Sequence, residues 1–106
     1  MNPNPDHLLA LLREHIGAGH GIGVAELAAR LGITARRVRH LVSALREAGI
    51  DLGAHPTTGY YIAETPAELE RCCVFLRARA LHSLRLESRL RGIPLPDLIG
   101  QLRLPT

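Results

Sequence analysis

A chain of 106 residues is long enough to bury one hydrophobic core but not two, so no multidomain account is needed. Thirteen cationic residues, all arginine, stand against ten carboxylates, giving a formal charge of +3 and a pI of about 9.5. That balance favours a polyanionic partner or an acidic surface, while the exclusive use of arginine reads as coding bias rather than selection for planar donors. The opening MNPNPDH has neither a basic start nor an apolar run, and no segment approaches the roughly 18 apolar residues of a membrane span, so a cytoplasmic protein with no membrane partner is expected.

From Asp6 to Gly17 the apolar positions 8, 9, 11, 12 and 16 recur at helical spacing, with Asp6 as the expected N-cap. The GAGHGIG that follows fits neither a dinucleotide fingerprint nor a P-loop and reads as a connector. Residues 24–31 form a short second helix with Leu27, Ala28 and Leu31 inward, stopped by Gly32 where a positive φ is easily taken. Thr34 then caps a third helix. With Val38 at zero on a wheel of 100° per residue, Leu41, Val42 and Leu45 fall within about 60° of it and define a buried side. Arg36, His40, Ser43 and Glu47 point away, with Arg37 and Arg39 on the flanks.

After Gly49, residues 50–64 give two short β-type runs around a Pro-Thr-Thr-Gly turn, a hairpin. The run Thr65-Pro66-Ala67-Glu68 is a capping box with proline at the first helical position, opening a long helix to about Arg91. That helix carries Leu69, Cys72, Cys73, Leu76, Ala80 and Leu84 on one stripe, with Phe75 and Leu86 well off it, an apolar surface too wide for a single contact. Arg71, His82, Arg85 and Arg89 share its polar side and read as solubilising charge rather than as a second nucleic-acid site. The adjacent Cys72 and Cys73 lack metal-ligand or redox spacing; they read as small apolar residues, with an intersubunit disulfide as the alternative. Gly92 and the Pro94 and Pro96 pair close the helix, and residues 96–103 add a last helical turn or two.

Helix, helix, tight turn, helix and hairpin is the order of a winged helix-turn-helix. In the bihelical unit a small residue must let the helices cross, a glycine suits the turn, and aliphatic residues plug the angle between them. Ala28, Gly32, Ile33, Val38 and Leu41 fill those places. The expected fold is mainly α with a small β-hairpin, divided into a winged domain over residues 6–63 and a helical extension over 65–103.

The run LAARLGITARRVRHLVSALREAGIDL and the wing ending in Gly59-Tyr60 resemble the type 11 helix-turn-helix domains of sugar-operon and stress regulators and the N-terminal domain of biotin-protein ligase repressors. The likeness spans residues 8–62, about half the chain. Where that family commonly has a lysine in the wing tip, this chain has Thr58, which weakens the expected wing-to-phosphate contact. No ligase catalytic domain fits in this length, so that activity does not carry over.

The resemblance implies that residues 34–48 enter the major groove of double-stranded DNA, whose base edges a helix can reach. Arg36 and His40 are expected at base edges, Arg37 and Arg39 at flanking phosphates, and Thr34 and Ser43 as further polar contacts. Four arginines and no acid lie between residues 34 and 46. At the wing, His55, Thr57 and Thr58 are candidate backbone or minor-groove contacts; the alternative is a hairpin that only packs Ile50, Leu52, Tyr60 and Ile62. The surplus apolar side of the 66–91 helix, with Leu69, Cys73, Phe75, Leu76, Leu84 and Leu86, is expected to pair two copies as a homodimer.

A winged-helix module for protein interaction or assembly, without DNA binding, is the second reading. Catalysis is not expected, because the six histidines are scattered, no paired acids occur and neither cysteine has a local activating partner; no cofactor and no metal site is expected either.

Overall fold

The computed structural model describes residues 2–102. Arg103, at the end of the expected last helix, lies outside the described residues. The fold is mainly α: three helices, a two-stranded antiparallel hairpin, a 26-residue helix and a short final helix. The helices are α1 Pro5–Leu12, α2 Val24–Leu31, α3 Ala35–Glu47, α4 Pro66–Arg91 and α5 Leu95–Gln101, and the strands are β1 Leu52–His55 and β2 Gly59–Ile62. The chain divides into two compact units between Cys72 and Cys73, so the first turns of α4 belong to the winged part.

The cap of α1 corrects the sequence reading. Asn4, not Asp6, occupies it: the Asn4 side chain accepts from the His7 N–H at 3.1 Å, and His7 Nδ1 accepts from the Asn4 N–H at 2.9 Å. Pro5 at the first helical position loses nothing there, since that N–H has no intrahelical partner. α1 also ends at Leu12 rather than running on to Ile16. The backbone around Ile16 is taken by the wing instead: the Gly17 N–H donates to the Ile62 carbonyl and the Ile62 N–H to the His15 carbonyl, both at 2.8 Å.

The connector is woven further into the hairpin. Ile22 and Tyr60 exchange two N–H···O bonds of 2.8 Å, so the segment before α2 lies along β2 like a short third strand. Gly59 permits this approach: its φ is +97°, and a Cβ there would overlap the Ile22 carbonyl.

α2 stops at Gly32, φ +68°, and the Ile33 N–H reaches back to the Ala28 carbonyl at 3.0 Å. The Thr34 hydroxyl accepts from the Arg37 N–H at 3.1 Å and starts α3. Val38, Leu41, Val42 and Leu45 are buried with Leu8, Leu12, Ile22, Leu27 and Leu52 in one cluster, and Ala28, Leu31, Ile33, Ile50, Tyr60 and Ile62 pack against it. At the helix end the Ile50 N–H bonds to the Leu45 carbonyl at 3.0 Å with Gly49 at φ +90°, which turns the chain into β1.

Strand register places Leu52 opposite Ile62 and Ala54 opposite Tyr60, the pairs that face the core. The other face pairs Gly53 with Tyr61, which is buried with its ring lying across the glycine. The capping box at the start of α4 is formed as expected, Glu68 N–H to the Thr65 hydroxyl at 3.2 Å and Thr65 N–H to the Glu68 carboxylate at 3.3 Å.

In the second unit, Leu98 of α5 is buried and Leu81 and Leu84 are half-buried, while Gly92 ends α4 with φ +67°. The Ser88 hydroxyl donates to the Ile93 carbonyl. No helix among the described residues is long and apolar enough to cross a membrane.

Candidate nucleic-acid interface

α3 is fixed by its apolar side, and that decides what its other side presents. Four buried aliphatics hold it against α1 and α2, so its rotation about its own axis is not free. Arg36, Arg37, Arg39, His40 and Ser43 are all exposed. On the helix wheel Arg36, His40 and Ser43 lie within about 40° of the direction opposite Val38, and Arg37 and Arg39 stand about 100° to either side of it. The first carboxylate on this helix is Glu47, at its last residue.

The two flanks have different neighbours. Arg39 lies on the wing side, at an open cleft of about 350 Å³ that it shares with Gly23, Val24, His55, Thr57 and Tyr60. Arg37 lies on the opposite flank, beside Asn2, Pro3 and Thr34. Arg46, about two turns beyond Arg39, is turned inward: its Nε donates to the Leu52 carbonyl at 2.8 Å and one terminal nitrogen approaches Cys72 Sγ at 3.6 Å. It ties α3 to the wing and to the start of α4. The helical wheel groups Arg46 with Arg39 and shows no difference between them; only the return of β1 past the helix separates their roles.

The three wing residues are not equivalent. His55 Nδ1 accepts from the Thr57 and Thr58 N–H groups at 3.1 and 3.4 Å and so organises the turn. The Thr58 hydroxyl donates to the Ala18 carbonyl at 2.6 Å, fastening the wing tip to the connector. Thr57 is exposed at the tip. Thr34, the first residue of the expected reading segment, uses its hydroxyl as a cap.

Beneath the wing, Glu68 gathers three backbone donors: Ala18 at 2.6 Å, Glu64 at 2.8 Å and Thr65 at 3.3 Å. These bonds, led by that from Ala18, hold its carboxyl below the usual carboxylate range. Burial pushes the Tyr61 hydroxyl above its ordinary range, and Cys72 and Glu68 nearby add to the effect. Both are supports of the surface; only the Thr65 half of the Glu68 arrangement is local in sequence, because Ala18 lies fifty residues away.

Of the side chains expected at a subunit interface, Cys73, Phe75, Leu76 and Leu86 are exposed, and Leu69 and Leu84 are half-buried. Val74 and Leu90 are also exposed, Leu90 to 89%. Val74 was readable as an apolar residue off the main stripe, by the same argument that picked out Phe75 and Leu86, and Leu90 as a continuation of the stripe itself. Among the described residues, no group of three His, Cys, Asp or Glu side chains converges as a metal site.

The order of three helices, antiparallel hairpin and long helix is a winged-helix-like layout. Compared with known proteins, the chain matches no family model, no curated protein and no solved structure.

Proposed function

We propose that this chain is a sequence-specific binder of double-stranded DNA, a cytoplasmic transcriptional regulator of the type 11 winged helix-turn-helix kind acting as a homodimer. The observation that carries the reading is the outward side of α3: five exposed polar or cationic residues, rigidly aimed by the buried side, with no acid before Glu47. An α-helix with side chains is about 10–12 Å across and the major groove about 12 Å wide, so this side reaches base edges. Arg36 and His40 read bases, with Ser43 beside them. Arg37 and Arg39 take phosphates on either side, and Thr57 is the wing residue placed to touch the backbone.

Two copies pair through α4, whose exposed Phe75, Leu76, Leu86 and Leu90 give it more apolar surface than a solvated helix carries. Pairing places two reading helices on a two-fold site, which a single module of this size lacks the area to hold tightly. The double substitution Arg36→Ala/Arg39→Ala tests the reading. Affinity for a selected duplex should fall by more than tenfold with the circular dichroism spectrum unchanged. Equal affinity in variant and parent would overturn it.

The second reading, a winged module for protein assembly, is favoured by two observations. The unit ending at Cys72 carries seven arginines against eight carboxylates, and the Thr58 hydroxyl is engaged with the connector. It predicts that the same double variant leaves all solution behaviour toward DNA as it was.

A further inference from the structure

The net positive charge of this chain does not lie in the unit that holds the reading helix. Up to Cys72 the arginines are outnumbered by carboxylates; beyond it six arginines stand against two carboxylates. A solubilising surface needs only mixed charge, whereas separation of sign along a chain builds a field directed at a polyanion. Within α4 the arginines of this unit stand around the helix, with Arg77, Arg79 and Arg91 about 80–120° from Arg85, and one side holds a cationic group without an acid. His82, Arg85 and Arg89, at spacings of three and four, share one side of the helix and are all exposed. Glu87, the one acid of α4 in this unit, points about 160° away from Arg85 and is paired with Arg91 at 2.6 Å. Among the described residues, Arg85 and Arg89 have no ion-pair partner.

We infer that the His82, Arg85 and Arg89 face of α4 is a second contact surface for the phosphate backbone of DNA, distinct from α3 and blind to sequence. This rests on the reading of the chain as a DNA binder. The face extends about 10 Å along the helix axis, the length of about three phosphates of one strand. Arginine forks suit phosphate oxygens in pairs. A lipid surface suits it less, because the apolar side chains of α4 are spread around the helix, Val74 and Phe75 on neighbouring faces, rather than gathered opposite the cations.

The experiment compares the full chain with Arg85→Gln/Arg89→Gln and Arg85→Lys/Arg89→Lys by fluorescence anisotropy on a labelled duplex across a salt series. The glutamine pair should lower the slope of log affinity against log salt by about 1.8 for each subunit on the duplex, two phosphates' worth per subunit, and the lysine pair should restore it. The preference for a selected duplex over a scrambled one should stay the same, since phosphate contacts carry no sequence information. An unchanged slope in the glutamine pair, while the parent protein binds, overturns the inference and leaves the α3 reading intact. So does loss of binding to phosphatidylglycerol vesicles with duplex binding unaltered, which assigns the face to a lipid surface. Absence of duplex binding by the parent protein removes the α3 reading and this inference together.

Discussion

Gly53 and Tyr61 show how much of this surface depends on residues that carry no charge. A Cβ at Gly53 would run into the Tyr61 ring, so Gly53→Ala must displace a buried aromatic or bend the hairpin. The expected cost is about 1–3 kcal/mol in urea unfolding; a variant as stable as the parent would show that the ring has another place to go. Glu68 is the other support. Its folded carboxyl is held below the ordinary value, so its contribution is fully present above the usual carboxylate range and is lost as pH falls through the depressed value. Glu68→Gln should therefore lower the thermal midpoint at neutral pH and flatten its fall on acidification. A parallel loss of midpoint in both proteins between neutral pH and about pH 3 would contradict this role. Of these, only the Thr65–Glu68 capping box was legible in the sequence; the Gly53–Tyr61 contact and the Ala18 donor depend on which residue of a distant segment lies opposite. The β-alternation gave the core-facing Tyr60 and Ile62 but left Tyr61, on the other face, without a partner.

The elements themselves were legible where a periodic apolar pattern coincided with a cap. α3 is the best case: Thr34, Val38, Leu41, Val42 and Leu45 all stand where the wheel puts them. α1 is the opposite case, since the cap expected at Asp6 falls two residues earlier, at Asn4, and the spacing of Ile16 looked helical. Its backbone partners in β2, some 45 residues on, decide that it is extended. The connector has the pattern of a loop for the same reason, as strand pairing to a later hairpin leaves no periodic trace in seven residues. The two sides of α3 make a prediction at this scale. Leu41→Ala, in the core, should cost about 2–5 kcal/mol of stability. Arg36→Ala, on the exposed side, should change stability by less than about 0.5 kcal/mol while reducing DNA affinity and relaxing base preference. If both substitutions altered stability equally and neither altered binding, α3 would be a structural element only.

For the whole molecule, the winged unit and the helical unit divide the work: the first offers a rigid exposed helix, the second offers apolar surface and most of the net charge. Sedimentation at micromolar concentration should show a species of twice 11.6 kDa, reverting to the single mass in Phe75→Asp/Leu86→Asp. A single-mass parent protein under those conditions would remove the homodimer and with it the two-fold site. The layout was readable because each step, capped helix, glycine turn, capped helix, hairpin, is local. The partner of α4 was not, since an unpaired face states only that something covers it. The central claim is that the α3 side is a DNA-reading surface, and the most direct test is anisotropy of the parent protein with a labelled random-sequence duplex over a salt series. The account predicts binding at low salt that weakens with a slope steeper than about −1.8, the share of Arg37 and Arg39 alone in one subunit, and keeps that share in Arg85→Gln/Arg89→Gln. No binding even at low salt would contradict it.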